Sequence, residues 1–124
     1  ETQIVVAEPE NAALLSGKEW SPHKIQGWTP DFIPRVLKKE VADKFVPVSD
    51  DESIEAAKKL AKEEGIFTGI SGGATLAACF KTAEVAPDNS TFCVMLPDTG
   101  ERYLSSPLFE NITEDSDEDW LSSA

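Results

Sequence analysis

The hydrophobic positions of the chain fall into short continuous runs and one longer helical repeat, a pattern that predicts both strands and helices. Four short apolar runs are predicted strands: residues 3–7, 44–48, 66–69 and 91–96. Pro47 carries no backbone donor, so the second run is expected at the edge of a sheet or at a strand end. Continuous apolar runs are typical of a parallel sheet with both faces covered.

The clearest predicted helix begins after Ser49. Ser49 and Glu52 have the spacing of a capping box, in which a hydroxyl and a carboxylate satisfy the first backbone donors of a helix. Apolar residues then recur at helical spacing across residues 54–61, and Gly65 supplies the stop.

Residues 18–34 form a predicted long loop, after a short helix that starts at Pro9 and ends at Gly17. The segment contains three prolines and three aromatic residues and follows neither the helical nor the strand period. Loops of this length inside a compact domain usually carry function, so residues 18–34 are a candidate active-site loop.

The sequence pattern marks Ser71 as the candidate residue for a chemical role. The run 69–74, GISGGA, places it after a predicted strand, at a sharp turn formed by Gly72 and Gly73, with a buried helix predicted over residues 74–80. Helices between apolar strands predict βαβ units of an α/β fold, in which ligands bind at the carboxyl ends of strands, beside helix N-termini.

The same run fits three other interpretations. Its G-x-S-x-G spacing matches a nucleophile elbow, but the only histidine, His23, precedes Ser71, which excludes a triad in hydrolase order. A phosphate-binding glycine loop would need a Walker lysine, and none follows. A serine N-cap with glycines for close helix packing stays open.

The length and net charge of the chain limit the classes of partner that it is expected to bind. A chain of 124 residues suits one domain, and 23 acidic against 11 basic residues give a net charge of −12. Nucleic-acid binding and attachment to anionic membranes are therefore disfavoured. No apolar run approaches the ~20 residues of a membrane span, no signal peptide is expected, and the start at Glu1 suggests a fragment or a processed chain.

The acidic residues concentrate at the C-terminal end. Residues 110–124 hold six of them and no basic residue, so half of the net charge lies there. We expect an acidic C-terminal tail with Trp120 as its one anchor, after a folded part that spans residues 1–109.

The cysteines predict no metal centre. Cys79 and Cys93 lie among apolar neighbours, and neither has metal-ligand spacing. We therefore expect two buried free thiols in a reducing compartment.

Six blocks, in order along residues 5–109, resemble the C-terminal part of cysteine synthase, that is, O-acetylserine sulfhydrylase. They are VVAEP at 5–9, LLSG at 14–17, PHKIQG at 22–27, DFIP at 31–34, EEGIFTGISGGA at 63–74 and LPDTGERYLSSPLF at 96–109. The resemblance implies fold type II of the pyridoxal-phosphate enzymes, with parallel-sheet βαβ units that form the C-terminal part of the large α/β domain. The match fades after Phe109, which agrees with an acidic tail.

The resemblance implies a chemical role for Ser71. In the family, the serine at this position donates a hydrogen bond to the pyridine nitrogen of pyridoxal phosphate. A serine hydroxyl is far less acidic than a pyridinium, so the ring nitrogen stays unprotonated and the ring is a weaker electron sink, which suits β-elimination followed by addition. Pro97 and Asp98 follow the last predicted strand and are implied to line the same ring, although Asp98 stands where many members carry serine.

The resemblance also implies that part of the long loop borders the active-site mouth. This substrate loop comprises Gln26, Gly27, Trp28 and Thr29. Its backbone groups are expected near the substrate, with Gly27 permitting close approach, while Trp28 is equally explained as a core residue. His23 and Lys24 are expected at the rim, as plain surface residues or as contacts for an anionic substrate or a partner's terminal carboxylate.

The implied reaction makes L-cysteine and acetate from O-acetylserine and sulfide. In the family, the Schiff-base lysine and the loops for substrate carboxylate and cofactor phosphate lie upstream, so this chain is expected to hold no catalytic residue and to be inactive alone. The implied partners are the missing N-terminal part of the enzyme, a second copy in a homodimer and the C-terminal tail of serine acetyltransferase. The implied location is the cytoplasm, or an organelle stroma or matrix.

Other functions stay open at this stage. Cyanoalanine synthase performs a related β-replacement, and the sequence does not separate it from cysteine synthase. The PHKIQG and GERYLS blocks favour cysteine synthase over cystathionine β-synthase. A non-catalytic module that docks a peptide C-terminus is the alternative from another functional class.

Overall fold

The computed structural model describes residues 1–103, 105 and 108. Its strands are β1, Val5–Pro9, and β2, Lys44–Val48, and its α-helices are α1, Asp50–Glu64, and α2, Ile70–Ala83. Short 3-10 turns occupy Glu10–Ala12, Leu14–Ser16, Lys39–Val41 and Gly100–Tyr103. The predicted acidic tail, with Trp120, lies outside the described residues.

The two strands form a parallel pair, so the α/β class with a parallel sheet is confirmed. Val5 lies beside Lys44 and Pro9 beside Val48, with Pro47 paired to Glu8 inside the register. The strand continues through Pro9, where a helix was expected to begin, because the backbone there is extended at φ −62 and ψ 130. Two 3-10 turns replace the short predicted helix and end, as expected, at Gly17 with φ +83.

Helix α1 matches its prediction closely because its signals are local. The Ser49 hydroxyl accepts a hydrogen bond from the backbone N–H of Glu52 at 3.1 Å, and the Glu52 carboxylate accepts one from the N–H of Ser49 at 2.8 Å. Both halves of the capping box are therefore present, an arrangement in which the N-cap alone stabilises by about 1 kcal/mol. Gly65 ends the helix in the left-handed conformation, at φ +68.

Helix α2 begins earlier than predicted. Gly72 and Gly73 lie in its first turn, and the expected turn at these residues is wrong. Their missing side chains serve packing between helices, since a Cβ atom on Gly73 would lie 2.0 Å from the backbone oxygen of Ser53 in α1. The close contact between the two helices therefore explains Gly73, because the chain does not change direction there.

The predicted strands at 66–69 and 91–96 are wrong within the described residues. Only an isolated antiparallel bridge, between Thr68 and Thr99, forms in this region. A strand needs a hydrogen-bonded neighbour along its length, and no described segment runs beside either run. Phe92 and Met95 are accordingly 40% and 73% exposed.

The hydrophobic core lies where α2 packs on α1 and on the sheet, and the long loop contributes Ile25. Its buried members are Ile25, Val46, Val48, Ala56, Ala57, Ile70, Ala74, Ala77, Ala78 and Leu108.

Both cysteines are free thiols, as expected, but only Cys79 is partly buried and Cys93 is exposed. The partial burial of Cys79 raises the pKa of its thiol. In the part of the chain that the structure describes, no helix is long and apolar enough to cross a bilayer.

Candidate functional site at the start of helix α2

Ser71 occupies the second position of α2. The N-cap is Gly69, with φ −75 and ψ 179, and no side chain caps this end. The interpretation of Ser71 as a plain N-cap is therefore wrong. The side chain is nearly buried, with 6% of the residue exposed, and no described residue hydrogen-bonds its hydroxyl. A helix N-terminus leaves its first backbone N–H groups open and carries a partial positive charge, which favours an electron-rich ligand atom.

Thr68 packs against the start of α2 and holds this helix end in position. It is 2% exposed, and a Cβ atom on Gly72 would lie 1.9 Å from its hydroxyl oxygen. The same hydroxyl donates a hydrogen bond to the backbone oxygen of Asp98 at 3.1 Å. The N–H of Gly100 donates to the oxygen of Phe67 at 3.2 Å. These two bonds attach the segment that carries Asp98 to the start of α2.

Asp98 and Tyr103 pack directly on the N-cap residue. A Cβ atom on Gly69 would lie 2.5 Å from Oδ1 of Asp98 and 2.4 Å from the Tyr103 ring, so only glycine fits. The Tyr103 hydroxyl donates to Oδ2 of Asp98, and this bond to a carboxylate, together with burial, raises the pKa of Tyr103. Oδ1 of Asp98 is buried and accepts no hydrogen bond from a described residue. A carboxylate therefore lies beside the positive end of α2.

The structure thus brings two of the predicted cofactor-binding residues, Ser71 and Asp98, to one helix end. Pro97 is exposed and immediately precedes Asp98 in the chain. Tyr103 is a residue of this site that the sequence reasoning missed, although it lies in the GERYLS block, because nothing in the local pattern predicts that its ring would cover Gly69.

Of the four residues of the predicted substrate loop, only Trp28 packs against the core that α2 shares. No hydrogen bond between described residues joins the loop to α2, but Ile25 and Ile70 belong to one buried cluster. Gln26 and Gly27 are exposed, whereas Trp28 packs partly against the core, as its alternative interpretation required. Gly27 has φ +80, and no atom lies within 4 Å of the position that a Cβ would take, so its glycine serves the turn.

The loop is held in shape by contacts that the sequence did not predict. The Trp20 indole N–H donates to the backbone oxygen of Thr29 at 3.0 Å, and Nε2 of His23 lies 3.3 Å from the same oxygen. The N–H of Ile25 donates to Nδ1 of His23 at 3.2 Å. The N–H of Lys24 donates to the Asp50 carboxylate at 2.9 Å, which attaches the loop to the start of α1.

Chemically, the site offers a hydroxyl donor at a positive helix end and a carboxylate beside it. Among the described residues, no group of three or more His, Cys, Asp or Glu side chains could hold a metal ion. The arrangement suits an organic ligand with an acceptor atom directed at Ser71.

Comparison with known proteins identifies the family. The chain is 50% identical to O-ureido-L-serine synthase of Streptomyces lavendulae over 123 residues, which is 99% of this chain and 38% of that protein. It is 44% identical to the cysteine synthase of Staphylococcus aureus over 107 residues, which is 86% of this chain and 34% of the relative. A crystal structure of O-ureido-L-serine synthase superposes with a TM-score of 0.90 at 49% identity, covering 98% of this chain and 39% of the other.

The chain therefore spans little more than a third of the length of these relatives. A sequence model of the pyridoxal-phosphate dependent enzymes matches residues 1–98. The resemblance to fold type II enzymes is thereby confirmed, and with it the cofactor, pyridoxal 5′-phosphate. The chain belongs to the family of pyridoxal-phosphate dependent enzymes.

Proposed function

We propose that the chain forms the C-terminal portion of a cysteine synthase, which makes L-cysteine and acetate from O-acetylserine and sulfide by β-replacement. The observation that carries this proposal is the hydroxyl of Ser71, which has no hydrogen-bond partner among the described residues, at the uncapped start of α2. The 44% identity to a cysteine synthase supports the same reaction.

The residues at this helix end fit the cofactor. Pyridoxal phosphate, when bound, supplies an aromatic ring that withdraws electrons from the substrate. The Ser71 hydroxyl would donate to the ring nitrogen, because it is a donor without a described partner and is too weak an acid to protonate that atom. Pro97 and Asp98 form the adjoining wall. The hydrogen bond from Tyr103 to Oδ2 of Asp98 holds this carboxylate in the wall.

The remaining parts of the site come from outside this chain. The cofactor-binding lysine and the loops for substrate carboxylate and cofactor phosphate belong to an N-terminal part, so this chain alone is inactive. Gln26, Gly27, Trp28 and Thr29 border the substrate. The complete enzyme is a cytoplasmic or organellar homodimer whose cleft accepts the C-terminal tail of serine acetyltransferase.

A second candidate is the synthesis of O-ureido-L-serine. It is favoured by one observation: the 50% identity to O-ureido-L-serine synthase extends over 99% of the chain, whereas the match to cysteine synthase covers 86%. The product carries a ureido group on the serine oxygen, so the nucleophile of a β-replacement would be hydroxyurea in place of sulfide.

The test offers both nucleophiles to the complete enzyme. The enzyme is incubated with O-acetyl-L-serine and either sulfide or hydroxyurea, and each amino-acid product is quantified by mass spectrometry. We expect kcat/KM to be at least about tenfold higher with sulfide, which corresponds to about 1.4 kcal/mol. The reverse ratio would assign the second candidate, and the absence of both products from a cofactor-loaded enzyme would refute both candidates.

A further inference from the structure

His23 has both ring nitrogens engaged by backbone groups whose roles are fixed. The N–H of Ile25 can only donate, so Nδ1, at 3.2 Å, must accept. The carbonyl oxygen of Thr29 can only accept, so Nε2, at 3.3 Å, must carry the proton. Both contacts require the same state of the ring, the neutral tautomer with its proton on Nε2.

The two hydrogen bonds of His23 link the residues on either side of Gln26, Gly27 and Trp28. Ile25 lies just before Gln26 and Gly27, and Thr29 follows Trp28, so His23 joins the two ends of this segment. The bond from the N–H of Ile25 to His23, two residues earlier, has the spacing of an Asx turn, with imidazole in place of a carboxamide.

The backbone of Thr29 needs such support. Its φ is +37, a left-handed conformation that residues with a side chain adopt at an energetic cost. Its carbonyl receives donors from both His23 and the Trp20 indole, the latter at 3.0 Å. Two donors on one carbonyl fix the peptide plane that follows Thr29 and thereby hold the strained residue in place.

We propose that His23 is a positioning residue, which in its neutral Nε2–H tautomer holds residues 25–29 in the conformation that receives the substrate. The function of the loop rests on the proposed β-replacement activity, whereas the tautomer and the loop geometry do not. His23 is neither an acid–base catalyst nor a cationic rim contact, because protonation of Nδ1 would set two donors against each other at Ile25 and break the bond.

The first experiment reads the tautomer directly. His23 is the only histidine, so in the full 124-residue chain the ring nitrogens seen by long-range ¹H–¹⁵N correlation need no assignment. We expect an unprotonated Nδ1 and a protonated Nε2 at neutral pH. A mixture of tautomers, or a proton on Nδ1, would overturn the proposal whatever reaction the enzyme performs.

The second experiment separates positioning from folding in the complete enzyme. The matched variants are His23→Asn, whose carboxamide oxygen can still accept from Ile25 two residues on, and His23→Ala, which keeps neither bond. We expect His23→Ala to raise KM for the amino-acid substrate about three- to tenfold with kcat changed less than about twofold, and His23→Asn to recover part of the loss.

The indole provides an independent check on Thr29. Trp20→Phe keeps an aromatic ring but removes the second donor to the Thr29 carbonyl. We expect it to raise KM in the same direction as His23→Ala and by a smaller factor. Equal kinetics for wild type, His23→Ala and Trp20→Phe would refute a positioning role, even if the tautomer is as expected.

Discussion

The two helices begin in opposite ways, although each follows a residue with extended backbone. The start of α1 is closed, because Ser49 and Glu52 satisfy its first donors reciprocally. The start of α2 has glycine as its N-cap and no side-chain cap, and its one hydroxyl, on Ser71, is without a described partner. Side chains therefore close the start of α1 and stabilise the fold there, whereas the start of α2 has no such cap.

The largest effect is expected where α2 packs on α1. Gly73→Ala should lower the free energy of unfolding by about 1–3 kcal/mol, because its Cβ would overlap the Ser53 carbonyl. Alanine by itself favours a helix over glycine by about 1 kcal/mol, so a net loss is attributable to the clash. Urea unfolding of the full chain measures it. The control, Asp51→Ala on the exposed first turn of α1, should cost less than about 1 kcal/mol, and equal losses in the two variants would contradict close packing.

The next effect concerns the chemistry at the open helix end. In the complete enzyme, Ser71→Ala should lower kcat/KM about two- to tenfold, the loss of one hydrogen bond to a neutral atom. Ser71→Asp should lower it further, because a carboxylate would favour a protonated ring nitrogen. Steady-state kinetics with the cofactor's absorption spectrum measure both variants. Faster turnover by the aspartate variant would refute the neutral-ring argument.

Stability should respond differently to the two serines. Ser49→Ala should cost about 1 kcal/mol of unfolding free energy, since it removes the cap of α1. Ser71→Ala should change it by less than about 0.5 kcal/mol in cofactor-free protein, since its hydroxyl has no described partner. Thermal unfolding of both variants gives the comparison, and a large loss at Ser71 would reveal a structural role for its hydroxyl.

The smallest expected effect is a pH dependence of stability that arises at the capped start of α1. Partial burial alone would raise the pKa of Glu52, but the hydrogen bonds from Lys81, at 2.8 Å, and from Ser49 outweigh it and lower the pKa. Because the folded-state pKa is depressed, this stabilisation is complete above the unfolded value of about 4.3 and is lost as the pH falls through the folded-state pKa. Unfolding midpoints between pH 7 and 3 should show the loss in wild type but less of it in Glu52→Gln, and identical acid profiles would contradict it.

The contrast between the helices also explains how far the sequence was informative. The start and stop of α1 were predictable because capping boxes and left-handed glycines are local signals. The turn expected at Gly72 and Gly73 was wrong because those glycines serve packing. Gly73 lies against the backbone carbonyl of Ser53, twenty positions earlier in the chain. Ser71 became a candidate site residue by its motif and by resemblance, but only the three-dimensional structure shows that Gly69 is the cap and that no described residue hydrogen-bonds the Ser71 hydroxyl.

Contacts between distant segments account for the other differences. An apolar run becomes a strand only beside a partner, so residues 66–69 and 91–96 could not be assigned from their own composition. The convergence of Asp98 and Tyr103 on Gly69, and of Trp20 and His23 on one carbonyl oxygen, depends on chain reversals that periodicity does not encode.

The parallel pairing of β1 with β2 has a consequence for the order of folding. The hydrogen bond next to this pairing, from the N–H of Ile4 to the Asp43 carboxylate, joins residues 39 apart in sequence, and closing so long a loop costs entropy before any pairing compensates. Helices α1 and α2 are separated only by residues 65–69 and can dock with a much shorter closure. Contacts of low sequence separation form faster, so we expect pulsed hydrogen-exchange labelling to protect the helix pair first. The N-terminal strand, and the long loop that follows it, would then be the last parts of the described chain to reach their native positions.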